Sequence, residues 1–108
     1  MRLSPPQIQA IVAATAELAG PEAQVRLFGS RLDDALHGGD IDLLVECPNK
    51  VARPVWLAAQ ITARLQRTLG DRKIDVLLVD PDTTLQPVHR IARAQGVLLS
   101  PASWAATQ

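Results

Sequence analysis

Two runs that read as strands, Val25–Phe28 and Asp40–Glu46, are joined by a short link that opens on Gly29-Ser30 and closes on Gly38-Gly39. The link, about 11 residues, is near the minimum for a parallel crossover, so it admits antiparallel pairing and points to a small mixed sheet. Successive side chains of a strand point to opposite faces. Asp40 and Asp42 are therefore expected on one face, and Ile41, Leu43 and Val45 on the other. Two carboxylates held side by side repel each other unless a cation lies between them, so the pair reads as a divalent metal site. Gly29 and Ser30, at the end of the first strand, offer backbone N–H groups and a hydroxyl suited to phosphate oxygens. Metal beside phosphate points to nucleotide chemistry.

The rest of the chain supplies helices and two further strands. Ser4 followed by Pro5 is a helix start, with a capping hydroxyl and a proline in the first turn. Ile8, Ile11, Val12, Thr15 and Leu18 lie on one face of that helix, and Gly20-Pro21 ends it. The link 29–39 has room for one or two helical turns, with Leu32, Ala35 and Leu36 facing inward. A long helix runs from Pro54 to about Leu69, with Leu57, Ile61 and Leu65 at four-residue spacing and Gly70 as its stop. Lys73–Val79 is the third strand, broken by Asp80-Pro81-Asp82. Asp82 or Thr83 caps a last helix carrying Leu85, Val88, Ile91 and Ala92, and Val97–Leu99 forms a short final strand after Gly96. The fold class expected is α+β, a small mixed β-sheet with helices packed on it. A chain of 108 residues suits a single domain, here 1–100, with 101–108 as a flexible tail.

Composition narrows the function classes. Eleven basic and eleven acidic residues cancel, whereas a protein that grips nucleic-acid backbones is normally basic; nucleic acid is disfavoured as the main partner. The single cysteine, Cys47, rules out an internal disulfide framework and fits a reducing compartment. No run approaches the roughly 20 apolar residues of a membrane span. The localisation expected is cytoplasmic.

A third acid, Asp75, lies in the apolar strand Lys73-Ile74-Asp75-Val76-Leu77-Leu78-Val79. A carboxylate buried in such a strand is costly unless it is paired or binds metal. With the third strand beside the second, Asp75 joins Asp40 and Asp42 on one face. Three carboxylates can hold two Mg²⁺ ions about 3.5–4 Å apart, the geometry of in-line phosphoryl transfer, with Asp75 as ligand and candidate base. The alternative is purely structural: Asp40 at the strand entrance, Asp42 solvated, Asp75 paired with Arg72 or Lys73.

In its motifs the chain resembles the minimal nucleotidyltransferases (MNT proteins) of the DNA polymerase β superfamily. Their pattern is an apolar strand, Gly-Ser, about ten residues, Asp-x-Asp, and a later Asp in an apolar strand. Here the chain reads Leu27-Phe28-Gly29-Ser30, Asp40-Ile41-Asp42 and Ile74-Asp75-Val76, and the likeness extends over nearly the whole sequence. The spacer 31–39 is one residue shorter than the commonest form. The resemblance implies a polymerase β-like core in which Gly29 and Ser30 bind the triphosphate, with Arg31 as a further phosphate contact. It implies that Asp40 and Asp42 hold both metal ions, with Asp75 completing the catalytic set. It also implies Mg²⁺ and ATP, with AMP transferred to an acceptor hydroxyl.

About thirty residues follow the third strand, too few for a second domain to hold that acceptor. MNT proteins are paired with helical HEPN-type proteins, often as antitoxin to an RNase toxin, and some transfer AMP to a tyrosine of the toxin. This chain contains no tyrosine, so such an acceptor belongs to the partner. A subunit acting on small molecules, as antibiotic-modifying enzymes do, and a non-catalytic neutralising module are the two alternatives.

The other polar and aromatic residues carry blander readings. Arg31 divides between a phosphate contact and an ion pair with Asp33 or Asp34. His37 and His89 lack metal-ligand spacing and read as loop and helix-surface residues. Trp56 and Trp104 read as packing residues, and Cys47 as a small residue near a strand end.

Overall fold

Local sequence sets both ends of the first helix. The computed structural model describes residues 4–28, 41–70 and 73–99, and within them Pro5–Ala19 is helix α1. The Gln7 N–H donates to Ser4 Oγ at 3.3 Å, and the Ser4 N–H donates back to Gln7 Oε1 at 2.9 Å, a reciprocal cap that satisfies two otherwise unpaired amides. Gly20 ends the helix at φ 108°, a backbone angle that favours glycine. The second helix, α2 (Pro54–Leu69), closes the same way on Gly70 at φ 96°.

The strands are β1 (Gln24–Phe28), β2 (Ile41–Glu46), β3 (Ile74–Val79) and β4 (Val97–Leu99), and the third helix is α3 (Pro87–Gln95). They form one sheet in the order β3-β2-β1-β4. β1 pairs antiparallel with both β2 and β4, while β2 and β3 are parallel. The sheet is mixed, and the short link between β1 and β2 joins antiparallel neighbours, as its length suggested.

Both faces of the sheet are covered. Val25, Leu27, Ile41, Leu43, Val45, Ile74 and Leu99 share one core with Ile8, Ile11 and Ala14 of α1 and Ile61 and Leu65 of α2. On the other face Leu44 and Val79 pack against Ala92 of α3, with Phe28, Leu77 and Leu85 partly buried around them. Burial on two sides explains why Leu43, Leu44 and Val45 are all fully buried although successive strand residues face opposite ways.

The last helix departs from expectation. It begins at Pro87, not at a cap formed by Asp82 or Thr83. Those residues are engaged in a turn: the Asp80 carboxylate accepts the Val51 N–H at 2.8 Å, the Asp82 N–H at 3.0 Å and the Thr83 hydroxyl at 3.0 Å. Leu85 therefore precedes the helix. Of the apolar residues expected on this helix, Val88 and Ile91 are 47% and 54% exposed, and the fully buried one is Ala92. Close approach selects the small side chains. A Cβ on Gly96 would run into the Ala92 carbonyl oxygen and lie 3.3 Å from the Leu27 carbonyl oxygen, so α3 meets β1 at a separation that larger residues would prevent.

Candidate functional site

Three strand ends converge at one end of the sheet. β1 runs toward this end and finishes at Phe28, opposite Asp42. β2 and β3 both start there in parallel register, with Ile41 opposite Ile74 and Asp42 opposite Asp75. The Ile41 N–H donates to the Lys73 carbonyl at 2.9 Å, which ties the two starts together. Residues in register on neighbouring strands project from the same face at the strand spacing of about 4.8 Å. Asp42 therefore stands between Phe28 and Asp75 on the face that carries α3, and Ile41 and Leu43 turn into the opposite core. Gly29 follows Phe28 directly in the chain. Gly29, Ser30, Arg31 and Asp40, like His37, Trp104, the 29–39 turns and the tail, lie outside the described residues.

Asp75 differs from its sequence reading in one respect. Its side chain is 53% exposed, so no burial penalty has to be offset; Lys73 Nζ lies 3.9 Å from Asp75 Oδ2 and is itself 68% exposed. The strand is apolar because its other positions are covered, and Asp75 sits at its uncovered mouth.

The donor chemistry suits a hard cation. Mg²⁺ takes oxygen ligands and is typically held by one or two carboxylates, with water and substrate phosphates filling the remaining positions. Asp42 and Asp75 provide two such carboxylates from one face. Among the described residues no group of three or more His, Cys, Asp or Glu side chains is placed to hold a metal ion. Two cavities of the described region lie at the other end of the sheet. One, of about 180 Å³, is between Gly20–Ala23 and Cys47–Val51. The other, of about 240 Å³, is between α1 and the Val25–Leu99 pair.

The face shared by the acids is fixed by charge as well as by packing. Glu46, at the far end of β2, accepts from Arg26 Nε and from an Arg93 guanidinium nitrogen, each at 2.8 Å, and is only 20% exposed. A carboxylate between two arginines pins α3 to the sheet. Sequence reading passed over this clamp and over Asp80, although the Asp80-x-x-Thr83 spacing is a side-chain turn signal. The backbone and side-chain donors on Asp80, the Val51 N–H foremost, hold its carboxyl below the usual aspartate range against the opposing effect of burial. Burial, then the Asp80 charge, pushes the Cys47 thiol up, which suits a buried structural cysteine. His89 does more than line a helix surface: its Nδ1 accepts the Gln86 N–H at 2.9 Å and caps α3. Trp56 is not a packing residue. It is 54% exposed, with the Arg53 guanidinium 5.2 Å from its ring centroid.

No family model and no curated protein matches the chain. Solved structures do. A toxin–antitoxin crystallised with AMP-PNP aligns at a TM-score of 0.64 and 18% identity, over 96% of this chain and 80% of that one. The toxin–antitoxin MntA–HpeT, carrying two aspartate-to-glutamate substitutions, aligns at 0.64 and 17% identity over the same shares. The chain shares the fold of these toxin–antitoxin structures. At the level of fold the α+β class with a mixed sheet is borne out. No helix among the described residues is long and apolar enough to cross a membrane.

Proposed function

We propose that the chain is a Mg²⁺-dependent nucleotidyltransferase that transfers AMP from ATP to a hydroxyl of a partner protein, as the antitoxin of a HEPN-type toxin in the cytoplasm. The observation that carries this reading is the register of Asp42 against Asp75 at the sheet end where β1 leads into Gly29-Ser30. The likeness in fold to a toxin–antitoxin crystallised with AMP-PNP supports the nucleotide and the toxin partner. Asp40, Asp42 and Asp75 are the proposed metal ligands, and Gly29, Ser30 and Arg31 the proposed triphosphate contacts. Bound Mg²⁺ would supply charge neutralisation for the triphosphate and for the attacking oxygen. The acceptor oxygen attacks the α-phosphorus, the bond to the bridging oxygen of pyrophosphate breaks, and pyrophosphate leaves with that electron pair. The acceptor's proton passes to Asp75, the proposed base. With no tyrosine in this chain, a tyrosine acceptor is supplied by the partner.

The test compares wild type with Asp40→Asn/Asp42→Asn. Each is incubated with the candidate toxin, labelled ATP and Mg²⁺, and the toxin's peptides are weighed by mass spectrometry. An AMP adduct formed by wild type alone supports transfer. Equal neutralisation of the toxin by both proteins with no adduct overturns it in favour of binding alone.

A further inference from the structure

We infer that Lys73 is a phosphate-binding residue of this site, its ammonium group held on Asp75 until metal and nucleotide arrive; the inference rests on the proposed function. Lys73 immediately precedes β3 and Asp75 is its second residue, and their side chains meet on one side, with Nζ 3.9 Å from Oδ2. Asp42 joins them there from the neighbouring strand. The Lys73 main chain is anchored, since its carbonyl accepts the Ile41 N–H at 2.9 Å, while its side chain is 68% exposed. An anchored base with a free four-carbon arm lets the ammonium turn from one anion to another without moving the strand.

The ion pair with Asp75, at 3.9 Å with both groups solvated, is too weak to serve as a structural tie. Among the described residues, Lys73 is nonetheless a cation beside the paired acids. Asp75, on holding a divalent ion, would give up to it the carboxylate oxygens that the ammonium faces. The displaced ammonium would then stand at the rim of a site where triphosphate and carboxylates together carry more negative charge than two Mg²⁺ ions cancel. Lysine serves phosphate as a compact point charge on a flexible stem.

This arrangement has a signature of opposite sign for metal and for nucleotide. Lys73→Ala removes a positive charge from beside the metal ligands, so Mn²⁺ alone binds more tightly, by about threefold for solvated charges at this range. The same substitution removes a phosphate contact, so Mg²⁺–ATP binds more weakly, by about fivefold to tenfold. Lys73→Arg keeps both affinities near wild type. Calorimetric titration of the full chain with Mn²⁺, and separately with ATP in excess Mg²⁺, reads both quantities, with Asp42→Asn as the reference variant.

Tighter Mn²⁺ and weaker Mg²⁺–ATP binding in Lys73→Ala, rescued by Lys73→Arg, is the expected result. If Lys73→Ala weakens both, the residue is merely structural and the inference is overturned. If Lys73→Ala changes neither while Asp42→Asn loses both, the inference fails and the proposed function stands. If Asp42→Asn also leaves both unchanged, the proposed function falls and takes this inference with it.

Discussion

Asp80 gathers the N–H groups of Val51 and Asp82 and the hydroxyl of Thr83 on one carboxylate at the end of β3. These bonds tie the connection before α2 to the chain after β3, across 29 residues of sequence in the case of Val51. They favour the charged form, which is why the folded-state carboxyl titrates below its usual range. A carboxyl whose folded pKa is depressed adds stability that is complete above the unfolded pKa and disappears as the pH falls through the folded one. The urea midpoint is therefore expected to decline below the ordinary aspartate range. Asp80→Asn is expected to lower the midpoint at neutral pH and to flatten that acid decline. A decline equally steep in the variant would assign it to other acids. Gly96 makes a steric counterpart. Its φ of −72° suits any residue, but the Ala92 carbonyl occupies the space a Cβ needs. Gly96→Ala is expected to destabilise by about 1–3 kcal/mol through distortion of the last turn of α3, whose Ala92 carbonyl it would strike, with tighter contact against β1, measured by chemical denaturation.

At the scale of elements, α2 and α3 show what a sequence discloses and what it conceals. The stripe Leu57, Ile61 and Leu65 was legible because α2 packs large residues into a core large enough to receive them, and Ile61 and Leu65 are fully buried. Ile61→Ala is expected to cost about 2–5 kcal/mol, while Trp56→Ala, one residue before the stripe and solvent-facing, is expected to change stability by under about 0.5 kcal/mol. Equilibrium unfolding of the two variants measures the contrast. In α3 the apolar residues read from the sequence were Val88, Ile91 and Ala92, and the structure buries Ala92 while it exposes the other two. There the inward side is set by how near the helix comes to β1, a tertiary distance that periodicity does not encode. Its start was misread for a similar reason. Asp82 and Thr83 are good caps in isolation, and the Asp80 turn engages them first.

At the scale of the whole molecule, the acids were legible as residues, while their meeting depends on topology. Asp42 and Asp75 are 33 positions apart in sequence. They come together because α2 carries the chain back so that β3 starts beside β2 in parallel register. An offset of one residue in that register would send Asp75 into the core face. Among the described residues the helices leave this end of the sheet to the acids: α1 and α2 cover one face, and α3 is pinned at Glu46, toward the other end. Folding thus holds two carboxylates of like charge side by side, with the Lys73 ammonium 3.9 Å from one of them, and their mutual repulsion weighs against the folded state. Asp42→Asn is accordingly expected to leave the metal-free melting temperature unchanged or slightly higher. In wild type, Mg²⁺ is expected to raise the melting temperature, because a ligand that binds only the folded state stabilises it by about 2.7 kcal/mol at a hundredfold excess over its dissociation constant. In Asp42→Asn that rise is expected to vanish. Scanning calorimetry with and without Mg²⁺ measures both effects, and an equal rise in the variant would mean that the cation binds elsewhere on the chain.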